Sequence, residues 1–139
     1  MIKTLRNFPV KEKNVLLRVD LNVPVHNRKV TDTSKLHIIK STVNELCLKN
    51  NKVFLLSHFG RPKGQFSKKY SLKFLTKTLA EVLSKPKIYF ISSCYGKAVK
   101  SQIQLMQPGD ICLLENVRFH AREEKNDSKF SETLAKYFD

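Results

Sequence analysis

Three short segments concentrate the side chains able to hold an anion or a hydroxyl. The first reads Arg18-Val19-Asp20-Leu21-Asn22-Val23-Pro24. Residues two apart on an extended strand share a face, so Arg18, Asp20 and Asn22 fall together. Asp20 accepts hydrogen bonds and Asn22 both donates and accepts, which suits a hydroxyl. The alternative is an Asx-type turn closing a strand, with Arg18 neutralising Asp20. The second segment, Ser57-His58-Phe59-Gly60-Arg61-Pro62-Lys63-Gly64, sets a His, an Arg and a Lys beside two glycines. Glycine lets backbone amides approach a ligand closely. The planar fork of Arg61 matches phosphate, and His58 donates to phosphate whether neutral or protonated. A flexible basic loop would have the same composition. The third segment, Leu114-Glu115-Asn116-Val117-Arg118-Phe119-His120, adds Arg118, with Arg122 beyond it. A plain Glu115–Arg118 ion pair is the alternative there.

Each segment lies at the end of a short apolar run with strand character. The pattern predicts strands over 15–19, 52–57, 87–91 and 111–114. Between and after them, apolar residues recur at three- and four-residue steps. Leu36, Ile39, Val43, Leu46 and Cys47 predict a helix over 33–49, with N-cap candidates in Thr31-Asp32-Thr33. Leu72, Leu75, Leu79, Val82 and Leu83 predict a second over 71–84, ended by Pro86. A shorter helix over 96–106 carries Val99 and Ile103, and a last one over 128–138 carries Phe130, Leu134 and Phe138.

Such strand–helix alternation specifies the α/β class: a three-layer sandwich with a mainly parallel sheet and helices on both faces. Its ligands bind beyond the carboxyl ends of the strands. All three polar segments leave such ends, so His58, Arg61 and Arg118 should share one rim. A basic pocket there should take a small, doubly or triply anionic ligand.

The remaining composition narrows the class. The chain has 139 residues, 41% of them hydrophobic, which is enough for one packed core and excludes a disordered composition. No apolar run reaches the roughly 20 residues of a membrane span. No long apolar block follows the basic residues at the start, which argues against a secretory signal, while a mitochondrial transit peptide is harder to exclude. Lys and Arg number 26 against 12 Asp and Glu, a net charge of +14. That attracts anions over about 8–10 Å at ordinary salt, so nucleic acid is a competing partner. Against it, no helix clusters Arg and Lys on one face, and no strand interleaves aromatics for base stacking. The 3 cysteines share no metal-binding spacing.

The segments VLLRVDLNVPV, SHFGRPKG and LLENVRFHAREEKND resemble, in order and along nearly the whole chain, the amino-terminal domain of phosphoglycerate kinase. The resemblance implies a Rossmann-like fold, incomplete here, with residues 1–139 as part of that domain and the nucleotide-binding domain absent. It implies a glycolytic enzyme moving a phosphoryl group between 1,3-bisphosphoglycerate and ADP, giving 3-phosphoglycerate and ATP. On it, Asp20 and Asn22 hold the glycerate hydroxyl end, His58 and Arg61 the 3-phosphate, and Leu21, Phe59 and Gly60 are further substrate-binding positions. Arg118 is another phosphate ligand. Lys35 stands in Thr31-Asp32-Thr33-Ser34-Lys35-Leu36, where the family carries an Arg that steadies the phosphoryl group in flight. Lysine keeps the charge and loses the bidentate fork. Magnesium-bound ATP or ADP would bind only through the other domain, and the protein would be a cytoplasmic monomer. The 139 residues alone are expected to be catalytically inactive, as an enzyme fragment, a truncated relic or a basic anion-binding protein.

Overall fold

The computed structural model describes residues 2–139 and contains six strands. Four of them, β1 (Asn14–Arg18), β4 (Lys52–Leu56), β5 (Tyr89–Ile91) and β6 (Ile111–Leu114), form one sheet in the order β1-β4-β6-β5. All three pairings are parallel; Leu17 faces Leu55, which faces Leu113. The other two, β2 (Val25–His26) and β3 (Lys29–Val30), make a small antiparallel hairpin.

Alternate side chains of the sheet build two cores. Val53, Leu55, Ile111 and Leu113 pack under α1 (Ser34–Leu48) and α2 (Thr76–Val82), against Leu36, Val43, Leu46, Cys47 and Leu79. Phe54, Leu56, Cys112 and Leu114 pack on the opposite face under α3 (Lys97–Leu105) and α5 (Ser128–Ala135), against Val99, Phe130 and Leu134. Burial on both sides explains why these strands read as continuous apolar runs. This is the three-layer α/β architecture expected from the alternation. Cys47 lies in the first core, Cys94 and Cys112 in the second, and all three thiols are free and buried. Burial pushes the thiols of Cys94 and Cys112 up to about 12.

The crossovers explain where a ligand can sit. Chain passages β1 to β4 and β4 to β5 use the α1–α2 face, whereas β5 returns to β6 along the other face. The chain leaving β4 goes to the α1–α2 face and the chain leaving β6 to the α5 face, which makes this carboxyl edge the place where the fold favours a ligand.

Two elements differ from the sequence reading. The helix expected over 71–84 starts as a 3-10 segment, Leu72–Leu75, and becomes α-helical only at Thr76. Its first free amide, Leu72 N–H, is taken by the distant Glu115 carboxylate at 2.9 Å, which tightens the entry. Residues 115–127, left without elements in the sequence reading, contain a 3-10 turn (Val117–Phe119) and the one-turn helix α4 (Ala121–Glu124). Segments this short display no helical period. The last helix stops at Ala135, and Phe138 beyond it packs edge-on against Phe54, 5.2 Å between ring centres.

Candidate anion site at the carboxyl edge

Three buried polar residues tie the rim loops together. Ser57, fully buried, accepts Leu21 N–H on its hydroxyl at 3.0 Å and donates that hydroxyl to its neighbour's carbonyl, while its own carbonyl accepts Val117 N–H at 3.1 Å. The loops after β1, β4 and β6 thus meet on one residue, through its hydroxyl and its carbonyl. Asn116 donates to the carbonyls of Phe59 (2.7 Å) and Tyr70 (3.0 Å) and accepts Arg118 N–H (3.0 Å). The Glu115 carboxylate accepts from Ser71 Oγ (2.7 Å), Leu72 N–H and Asn116 N–H (2.8 Å). Glu115 is consequently not the partner of Arg118 that sequence proximity suggested. A buried carboxylate needs such partners because leaving it unpaired would cost several kcal/mol.

On this frame the loop after β1 presents its polar groups. Asp20 accepts Asn22 N–H at 3.0 Å, the Asx turn that the spacing allowed. Arg18 is not its cation. Lys35, at the start of α1, pairs with Asp20 at 2.9 Å and donates to the Asn22 carbonyl at 3.0 Å. This hydrogen bond holds the Asp20 carboxyl below the ordinary carboxylate value. Leu21 points its side chain fully into the core. Asn22 Oδ1 accepts Gly60 N–H at 3.1 Å, joining this loop to the next. Gly60 has φ +61, and a Cβ there would lie 2.4 Å from the Tyr70 ring, so only glycine fits.

Arg18 turns toward the loop after β6. Its guanidinium donates to Glu123 at 2.7 Å, and Arg118 Nε donates to the same carboxylate at 3.2 Å. Arg118 also lies 3.7 Å from Glu124. Burial works to raise the Glu123 pKa, yet the hydrogen bonds and charges of Arg18 and Arg118 outweigh it and hold the carboxyl below its ordinary value. His58 responds to both groups. Burial lowers its pKa, and Arg118 and Arg18 lower it further against the opposing pull of Glu123 and Asp20. His58 is therefore a neutral imidazole at pH 7 beside two guanidinium groups. Arg61 is exposed, forms no ion pair among the described residues, and is not among the charges that bear on His58.

The sequence reading missed Glu123, which is drawn to the rim from 105 residues beyond Arg18. It also missed the organising roles of Ser57 and Asn116. The only local signal was their position immediately after buried strands, since every partner that matters is remote in sequence.

Fold and rim together define a class: a parallel three-layer α/β domain whose carboxyl edge carries a polar Asp–Asn loop beside a pair of guanidinium groups. The family model for phosphoglycerate kinase matches residues 5–139. The chain belongs to the phosphoglycerate kinase family. It is 49% identical over 137 residues to the phosphoglycerate kinase of Bradyrhizobium diazoefficiens, covering 99% of this chain and 34% of that one. Against the enzyme of Rhodopseudomonas palustris it is 50% identical, with the same coverage of 99% and 34%. The crystal structure of phosphoglycerate kinase from Pyrococcus horikoshii OT3 superposes with a TM-score of 0.85 at 27% identity, over 99% of this chain and 35% of that one. The chain thus spans about a third of the length of these curated relatives.

Among the described residues no helix is long and apolar enough to cross a membrane. Nor do the described residues hold a group of three or more His, Cys, Asp or Glu side chains able to bind a metal ion. Asp20 and Glu123 are each engaged with cations, so these residues do not fit a magnesium–nucleotide seat.

Proposed function

We propose that this chain supplies the phosphoglycerate-binding half of a phosphoglycerate kinase. The complete reaction moves a phosphoryl group from the acyl phosphate of 1,3-bisphosphoglycerate to ADP, giving 3-phosphoglycerate and ATP, and runs in reverse. Residues 1–139 act as part of the amino-terminal domain, in a cytoplasmic monomer, and nucleotide binds outside them. What supports the reading is one juxtaposition: a neutral His58 between the Asp20–Asn22–Lys35 group and the Arg18–Arg118 pair.

In this reading Asp20 and Asn22 take the substrate hydroxyl, and Lys35 meets its carboxyl end. His58 and Arg61 hold the 3-phosphate. Arg118 binds phosphate by exchanging its hydrogen bond to Glu123 for one to the ligand. An incoming phosphate also favours protonated His58, so binding draws a proton onto the ring. Transfer relies on positioning and on neutralising charge from both sides of the phosphoryl group. Only one side is built here, so these 139 residues bind substrate and do not turn it over.

The test is an NMR titration of isotope-labelled chain with D-3-phosphoglycerate at physiological salt, with the L-enantiomer as control. Saturable, enantiomer-selective shifts at Asp20, Asn22, His58, Arg61 and Arg118 are expected, and no ATP from 1,3-bisphosphoglycerate plus ADP. Equal response to both enantiomers in a folded chain would refute the binding assignment. ATP formation would refute the assignment of turnover to residues outside this chain.

A further inference from the structure

A second concavity opens on the other side of Asn22 and Gly60. It is a cleft of about 710 Å³ between the β2–β3 hairpin and the 3-10 segments at 68–75, within the range of small-molecule sites. Its walls are apolar: Val23 and Val25 from the hairpin side, Phe59, Tyr70 and Phe74 from the other. Phe59 sits 5.3 Å from Phe74 and 6.5 Å from Tyr70, measured between ring centres, so the aromatic wall is continuous. Glycerate phosphates, polar throughout, gain nothing from such a wall.

The lip is cationic. Arg28, Lys68, Lys69 and Lys73 line the cleft, all exposed, none in an ion pair among the described residues. No acidic side chain lines it. Arg28 reaches the lip from a hairpin turn in which Asn27 and Arg28 have φ of 50° and 60°. Both central residues of such a turn need positive φ, which Asn tolerates and Arg adopts at a cost. At the boundary with the anion site, Asn22 spends its Oδ1 on Gly60 N–H, while its Nδ2 has no partner among the described residues.

We propose that this cleft is a binding site for an aryl carboxylate: a flat aromatic body against Phe59, Tyr70 and Phe74, with its carboxylate at the Lys69–Lys73 lip. Apolar burial supplies the attraction, and the lip cations, which have no acidic partner among the described residues (Lys69 lies over the Tyr70 ring at 5.3 Å), select an anion over a neutral or cationic molecule of the same shape.

The probe is 1-naphthoate, with 1-naphthol and 1-naphthylmethylammonium as neutral and cationic controls, titrated into isotope-labelled chain. Saturable amide shifts are expected at Val25, Tyr70 and Phe74, residues outside the phosphoglycerate site. Naphthol should bind about tenfold more weakly and the ammonium more weakly still, because the lip charges act over short, partly desolvated distances. The surface double variant Lys69→Glu/Lys73→Glu should weaken naphthoate by about tenfold or more and leave naphthol unchanged. Equal affinity for all three probes overturns the proposal, as does indifference to the double variant or a shift pattern centred on Arg18, His58 and Arg118. The phosphoglycerate reading is judged by its own ligand and enantiomer control, so naphthoate that fails at Val25, Tyr70 and Phe74, or that shifts His58 and Arg118 instead, overturns the cleft without deciding the phosphoglycerate assignment.

Discussion

The two sides of the rim spend their charges differently. On the β1 side, one ammonium meets one carboxylate: Lys35 and Asp20 lie 2.9 Å apart and the loop is electrically balanced. On the β6 side, two guanidinium groups share Glu123, with Glu124 at 3.7 Å a weaker second contact. Burial separates them too. Asp20 has 59% of its side chain exposed, whereas Glu123 has 10%. A balanced, open loop suits hydroxyl and carboxyl recognition, where geometry discriminates. Two guanidinium groups gathered on one partly buried carboxylate suit phosphate, where charge and bidentate geometry do the binding. On the proposed function, the two sides would receive the two ends of an asymmetric substrate.

The strongest way to break this contrast is Arg118→Ala. Hydrogen bonds to charged groups are worth about 1.5–3 kcal/mol, so 3-phosphoglycerate affinity should fall roughly 10- to 150-fold. Isothermal calorimetry would check it. A loss equal to that of a balanced-side variant such as Asp20→Asn would erase the distinction.

Next in size is Asn116→Ala, which attacks the frame both sides share. It strands the carbonyls of Phe59 and Tyr70 in a buried setting, at a cost of about 1–3 kcal/mol. The urea midpoint should drop accordingly. Ligand shifts in the loop after β4 should change more than those at Lys35, which is held independently through Asp20.

Glu123→Gln sharpens the contrast by a smaller amount. It releases two guanidinium groups, so phosphate affinity should rise a few-fold and its salt dependence should steepen. The same change alters acid stability with a definite sign. The Glu123 carboxyl is held below its ordinary value, so its ion pairs stabilise the fold at neutral pH. That contribution is lost as pH falls through the lowered value. Because Arg18 is half exposed, it amounts to no more than about 1 kcal/mol. Thermal melts from pH 7 to pH 3 should show a shallower acid decline in the Gln variant.

Much of this was legible in the residues. Buried strands such as Ile111–Leu114 announce themselves as apolar runs, and α1 by the spacing of Leu36, Val43 and Leu46. The convergence of the three polar loops followed from the strand-end rule for parallel sheets. Pairings were not legible. Arg18 could be matched to Asp20 by spacing, yet the fold brings Glu123 to Arg18 and gives Asp20 to Lys35. Glu115 and Arg118 are three residues apart, yet face different neighbours because a 3-10 turn begins between them. Which carboxylate meets which cation depends on loop closure over many residues, and local pattern carries no information about it. The 3-10 entry to α2 went unread for the same reason, since the carboxylate that accepts Leu72 N–H comes from the loop after β6.

The three buried thiols divide between the two cores, one on the inner face of α1 and two in the core on the opposite side of the sheet. A thiolate is the reactive form, so in the closed molecule these sulfurs are inert to alkylating reagents. Each becomes modifiable only when its own layer parts from the sheet. The chain thus carries a native stopwatch on either side of its central layer: alkylation of Cys47 times the departure of one helical layer, and alkylation of Cys94 and Cys112 times the departure of the other. Mass spectrometry of the modified peptides would read both clocks in one sample and reveal whether the two faces come apart together or in turn.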